Sequence, residues 1–261
     1  MDVLATLYIM RRHLGFADSD TAEDARLLAA LEAASTTIER RTRRHFTPRI
    51  ATLPHSINRQ NVRDLMLNDD LLELQSLTNG DGTSINISNA IVLSSSAIRL
   101  SDGTAFIYSD TPEDAVFVTG IWGYHPDWTT AWADSGDSVQ DSPLSAVATT
   151  ITVNDVDAAN TDGTPRFQVG QVLRIETEYV RVLAADTTLN TLTVARGINS
   201  TTAASHVNGT AIDIYQPPMD VVTLCLRWAL WLYKEPDAPA WNMPPVLLDT
   251  LDGLRRISVK S

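Results

Sequence analysis

Acid–base or metal chemistry in this chain would have to come from a short set of residues. Glu176 and Glu178 stand two apart, the spacing that puts two carboxylates on one face of a strand. Paired carboxylates catalyse hydrolysis when their surroundings push their pKa values apart. With no other site element nearby, this pair reads as an exposed strand edge, and a hydrolase is the reading it would otherwise support. The histidines His13, His45, His55, His125 and His206 are scattered. None pairs with another His or with Cys at metal-ligand spacing, so each is expected on the surface or in a turn. Asn160-x-Asp162-Gly163 and Asn79-x-Asp81-Gly82 resemble half a calcium loop. Ala158 and Leu77 occupy their leading ligand positions, and Val169 the closing position of the first, so neither is expected to bind the ion. Cys225 is the only cysteine, which excludes an intrachain disulfide and a cysteine metal cluster. GxxxxGK[ST], GxGxxG and GxSxG are absent, so nucleotide cradling and a nucleophile elbow lack support. The expectation is a non-enzymatic chain with no catalytic residue, no metal and no cofactor.

Two features remain. Arg40, Arg41, Arg43 and Arg44 end an amphipathic stretch. Cations there complement a helix dipole, but two would suffice. Four make a candidate contact for acidic partner groups or for DNA phosphates. Trp122 lies between two glycines in Val118-Thr-Gly-Ile-Trp-Gly-Tyr124 and reads as a core plug. Trp128 and Trp132, in polar surroundings, are candidate subunit-interface residues, since tryptophan is enriched at interfaces. They also motivate an alternative: a β-module binding protein of a phage or bacterial surface, holding a carbohydrate or receptor.

These residues must be positioned by a chain of 261 residues that is 44% hydrophobic, enough for a real core. Its net charge of −12 argues against gripping nucleic acid over a broad surface and against a polybasic membrane anchor. The charge is uneven: residues 1–50 carry +1, residues 51–137 carry −9, residues 138–216 carry −4 and residues 217–261 are neutral. Of 20 basic residues only Lys234 and Lys260 are lysine; the arginine excess reads first as codon usage. The N-terminal Met-Asp-Val-Leu lacks the basic region of a signal peptide. Met219–Tyr233 falls short of the ~20 residues that span a bilayer. A soluble protein of a reducing compartment is expected.

Leu4, Leu7 and Met10 start a short helix that Gly15 ends. Thr21-x-x-Asp24 approximates a capping box, and Leu28, Leu31, Ser35 and Ile38 keep helical spacing to about residue 44. Short apolar runs at 65–67, 71–74, 85–87, 105–108 and 115–118, separated by Asn-Gly and Asp-Gly pairs, predict antiparallel hairpins. Residues 134–145 read as a polar linker. Runs at 150–153, 172–175, 178–182, 191–194 and 211–214 then predict a small barrel or sandwich. Helices return at 219–233 and from Val246 to about Ile257. The fold class is therefore α+β: a discontinuous core of residues 1–137 and 217–261, with an inserted all-β domain at 138–216.

The ordered set resembles the head-to-tail connector (adaptor, head completion) proteins of tailed bacteriophages. Four pieces carry it: Asp24-Ala-Arg-Leu-Leu through Ile38-Glu-Arg-Arg; Leu71-Leu-Glu-Leu through Gly82; Val118-Thr-Gly-Ile-Trp-Gly-Tyr124; and the Trp/Leu-rich C-terminal helix. In the inserted block, Phe167-x-x-Gly170, Glu178-Tyr-x-x-Val182, Leu192-x-Val-x-Arg196-Gly197, Ala204-Ser-His206 and Gly209 are similar to small β modules of phage virion proteins. The resemblance implies a homo-oligomeric, dodecameric ring at the virion neck, made in the host cytoplasm and not bound to membrane. The ring would dock on the portal protein, bind a stopper or tail-completion protein below, and let DNA pass through its channel. It also implies a portal-facing segment from Val246 to Ser261, including Leu254, Arg255, Arg256 and Ile257.

Overall fold

The computed structural model describes residues 2–17, 20–160, 163–235 and 244–256. Two helices open the chain, α1 (Leu7–Leu14) and α2 (Asp24–Thr42). Seven strands follow: β1 (Arg49–His55), β2 (Asp64–Met66), β3 (Leu71–Thr78), β4 (Ser84–Ile85), β5 (Ala90–Ser94), β6 (Ala97–Leu100) and β7 (Val116–Trp122). Six more are β8 (Trp132–Ser138), β9 (Thr150–Thr152), β10 (Val172–Ile175), β11 (Glu178–Asp186), β12 (Thr191–Ala195) and β13 (Ala211–Tyr215). Helices α3 (Met219–Lys234) and α4 (Pro245–Leu254) come last. The class is α+β, with antiparallel ladders between the named strands. No helix among the described residues is long and apolar enough to cross a membrane.

The chain groups into two compact units, Met1–Thr42 with Pro126–Arg255, and Arg43–His125 with Arg256–Ser261. The first holds all four helices and the sheet β8-β13-β10-β11-β12-β9. Its strand β8 runs from 132 to 138, across the boundary expected at 137/138. The linker expected at 134–145 is thus in part a strand. Asp134, Gly136 and Asp137 have poor strand propensity, but an edge strand needs only a partner ladder, and β13 supplies it. Ser135 and Asp137 turn inward and are buried. The sheet does not close as a barrel ladder among the described residues, although the Gln140 N–H donates to the Thr152 carbonyl at 2.8 Å beside its two edges. Its core gathers Ile151, Phe167, Leu173, Val180, Leu192 and Ile212 among others.

Within the same unit, residues 2–6 thread between sheet and helices. Asp2 accepts from Arg181 and Asn199, the Leu4 N–H donates to Ser35 Oγ at 3.0 Å, and Val3, Leu4 and Ala5 are buried. Gly170 makes this possible. Its φ is +97°, and a Cβ there would lie 2.4 Å from Val3 Cγ2. Thr6 caps α1, and Gly15 in the left-handed region ends it. The second helix begins at Asp24 rather than 21, and Arg11 Nε holds the Asp24 carboxylate at 2.6 Å. Helix α4 ends at Leu254, short of the expected Ile257.

The second unit carries the sheets β1-β7-β3-β4 and β2-β6-β5. Three strands lacked a sequence signal: β1, β5 and β6. Pro54 sits in β1, an edge strand, where a missing N–H is tolerated. The run Ala105–Tyr108, expected as a strand, has only an isolated bridge from Tyr108 to Gly80. Phe106 packs inward as a loop residue. Trp122 is the expected plug: fully buried, it donates to the Ala51 carbonyl at 2.9 Å and stacks on His55 at 5.5 Å. Gly120 is required because β3 bulges opposite it, bringing the Glu73 carbonyl within 2.3 Å of any Cβ.

Two outcomes follow. Gly120→Ala forces β3 and β7 apart and is expected to cost about 2 kcal/mol, measurable by chemical denaturation. Burial pushes the His55 imidazole down from 6.5 to about 4, against the Leu53 carbonyl that favours its proton. A depressed histidine leaves the unfolded state binding more protons. Its stabilisation is therefore complete above pH 6.5 and is lost as pH falls toward about 4, by about 3 kcal/mol in all. Denaturation midpoints of His55→Phe are expected to lack that component of the acid slope.

Candidate functional site

The carboxylates Glu176 and Glu178 do not share a strand face. Ile175 pairs with Glu178 to close a hairpin whose turn is Glu176–Thr177, and Glu176 adopts φ 55°. The turn turns one carboxylate out and the other in: Glu176 is exposed, whereas the Glu178 side chain is fully buried. Glu178 accepts from Arg196 Nε at 2.6 Å and Nη2 at 2.7 Å, from the N–H groups of Gly197 and Ala204 at 3.0 Å each, and from His206 Nε2 at 2.9 Å. His206 Nδ1 lies 2.9 Å from Glu176 Oε2. Arg196 spends its remaining donors on the carbonyls of Ser145, Ala148 and Ala204.

The exposed-edge expectation therefore fails for Glu178, and the surface expectation fails for His206 and for His55, both buried. Glu178 and His206 find their side-chain partners 18 to 30 residues along the chain, which no local spacing reveals. Chemically, burial alone would raise the Glu178 carboxyl. Arg196, the Ala204 N–H and His206 outweigh it and hold the group below its ordinary 4.5. An ionised carboxylate with five donors aimed at it has no lone pair left to take a proton from a substrate.

A parallel hub, missed from sequence, lies in the expected linker. Asp137 is fully buried, pairs with Arg166 at 2.7 Å and accepts from the N–H groups of Ser138, Asn154 and Asp155. Burial would raise this carboxyl too, but the backbone donors prevail and lower it. Among the described residues no group of three His, Cys, Asp or Glu is placed to hold a metal ion.

The arginine run is divided between the two units. Arg40 and Arg41 belong to the first and are exposed, with Arg41 5.7 Å from the Trp228 ring. Arg43, exposed with φ 55°, and Arg44 belong to the second. Arg44 is drawn inward, 4.0 Å over the Tyr124 ring and 3.2 Å from Asp70. Arg256, reached from the other end of the sequence, lies 3.7 Å from the same carboxylate and donates to the carbonyls of Leu67, Asn68 and Asp69. Burial raises the Asp70 carboxyl despite these two guanidiniums. Two sequence-flagged residues thus converge on Asp70 and are occupied by it. Leu254 is buried and Arg255 exposed, while Ile257 lies outside the described residues.

Trp128 and Trp132 are half-buried in an aromatic cluster of their own unit. Trp132 lies 5.2 Å from both Tyr179 and Tyr215 and 6.3 Å from Trp128, and Arg174 stacks on it at 4.6 Å. They pack against Ala131 and against Val172 of β10, Tyr179 of β11 and Tyr215 of β13. A groove of about 280 Å³ opens between α3 and α4, lined by Met219, Thr223, Leu224, Leu247 and Thr250.

No protein-family model matches this chain, and no curated protein does. Among solved structures it is similar to a chain of "Neck of empty GTA particle computed with C6 symmetry", with 13% identity and a TM-score of 0.35 over 97% of this chain and 90% of that one. A likeness at this level defines neither a shared fold nor a shared function.

Replacing Glu178 by Gln leaves the Arg196 guanidinium buried without its counter-charge. The expected loss is about 3 kcal/mol. The lowered carboxyl adds a pH signature. Its stabilisation is present above pH 4.5 and lost as pH falls through the depressed folded value. Wild type and Glu178→Gln are expected to differ in unfolding free energy above pH 4.5 and to converge as pH falls below it.

Proposed function

We propose that the chain is a non-enzymatic structural subunit of a tailed-phage neck, forming a symmetric ring, dodecameric, between the portal and a stopper or tail-completion protein. DNA passes through the ring without being gripped. One observation carries the reading. The four sequence pieces that carry the connector resemblance pack against each other in two pairs: β3 pairs with β7, and α2 packs on α3 through Ser35 and Cys225 at 3.4 Å. The motifs thus meet in pairs, one pair within each unit, rather than standing as isolated likenesses.

The site chemistry supports a structural part. Of the two carboxylates that could serve a hydrolase, Glu178 is held by Arg196 and backbone donors, and Glu176 stands exposed beside His206. The tryptophans that motivated carbohydrate binding are half-buried and packed on Val172, Tyr179 and Tyr215 of their own sheet. Arg40, Arg41 and Arg43 are the exposed members of the arginine run and are the ones assigned to a partner's acidic groups or to DNA phosphates. Arg44 and Arg256 act inside their unit. In the segment assigned to the portal, Arg255 is exposed.

Native mass spectrometry of the chain, alone and with portal protein, is expected to give a closed ring of high order; a stable monomer in both samples sinks the proposal. Changing Arg40, Arg41 and Arg43 together to Ser is expected to weaken ring or particle assembly about tenfold with the thermal midpoint unchanged. Unchanged assembly returns those arginines to the role of helix-end cations.

A further inference from the structure

We propose that strand β5 is a self-recognition edge: β5 of one copy pairs antiparallel with β5 of a second copy, joining two three-stranded sheets into one of six strands. The strand Ala90-Ile-Val-Leu-Ser94 lies at the edge of β2-β6-β5. It carries no charge and no proline, and Ile91, Val92 and Leu93 are 52%, 46% and 49% exposed. Exposed Ile87 precedes it, and exposed Met66 lies on the same sheet. Proteins ordinarily blunt an edge of this kind with charge, proline or shortness, because its free N–H and C=O groups recruit another strand.

The occupant follows from the other edges among the described residues. Strand β1 is blunted by Pro54, and β2, β4 and β9 have three, two and three residues. Strand β8 carries the charges of Asp134 and Asp137. Only β5 offers a long, uncharged edge, so within this chain its match is β5 itself. The Asn89 carbonyl accepts the Ser101 N–H at 2.8 Å on the β6 side. Alternation then turns the backbone groups of Ala90 and Val92 outward. A two-fold pairing centred on Val92 sets Val92 against Val92 and brings Ile91 to Leu93, which the register shift between Val92 and Ser94 leaves without a partner on β6. The neighbouring charges do not oppose it, because Arg99 on the Ile91 face is paired with Asp64 at 2.5 Å. This contact is two-fold, whereas subunits of a ring meet head to tail, so it stands independently of the ring.

Sedimentation equilibrium of the full chain over a micromolar-to-millimolar series tests it. The expected result is a monomer–dimer equilibrium whose association constant falls about tenfold or more in Ile91→Lys/Leu93→Lys, with the circular dichroism unchanged. Wild type that stays monomeric throughout, or a dimer that survives the double substitution, overturns the proposal. Should the double variant misfold, oxidation of Val92→Cys decides. The two Cα atoms of the pair fall within disulfide reach, and Cys225 is buried. Selective cross-linking at 92, compared with Thr52→Cys on β1, supports the edge pairing; equal rates overturn it. A ring seen by native mass spectrometry with no β5 dimer retains the neck reading and removes this one.

Discussion

The buried pair of Glu178 and Arg196 is the constraint on which the β half of this protein turns. Removing two charges from water costs several kcal/mol each, and the pair is tolerable only because every remaining lone pair and proton is used. The carboxylate takes five donors, and the guanidinium reaches three further carbonyls. In satisfying itself the pair ties the β10–β11 turn, the end of β12 and the loops at 145–148 and 204–206 to one point. A chain with a single cysteine cannot staple these loops covalently. A planar fork that binds a carboxylate and carbonyls together can do so.

The same device recurs. Arg166 on Asp137, Arg181 on Asp2, Arg11 on Asp24, and Arg44 with Arg256 on Asp70 each join segments distant in sequence. The arginine excess, which read from composition as codon usage, has a structural use that lysine would not reproduce. An ammonium offers a point charge and three donors, not two parallel bonds plus spare N–H groups. Asp2, Asp24, Asp70, Asp137 and Glu178 are the acids engaged in these pairs. The other exposed acids include Asp81, Asp110 and Glu113, charges that would repel rather than grip a DNA backbone.

Packing supplies the second constraint. Residues 2–6 are buried between the helices and the sheet of their unit, with Leu4 bonded to Ser35 and Asp2 to Arg181 and Asn199. The glycines at 120 and 170 mark where backbone or side chain comes too close for a Cβ. What approaches is not legible in sequence. For Gly120 it is a bulge in a strand more than 40 residues earlier.

The sequence by itself determined whatever repeats over a few residues. Helical spacing located α1, α2, α3 and most of α4, and the short apolar runs located the starts of β3, β7 and β9 to β13 to within one residue, with the ends of β3, β7 and β11 each missed by four. It marked Trp122 as core. It also flagged Arg44 and Arg256 without the reason for noticing them together. Tertiary structure alone decided the rest. The polar stretch at 134–138 became a strand because β13 was there to pair with it, and Pro54 was tolerated because β1 is an edge. Glu178 and His206 went inside because partners 18 to 28 residues away met them. Periodicity is a local property, carried by each segment. The pairing of a charge or a strand edge is a property of two segments, and only the folded chain brings them together.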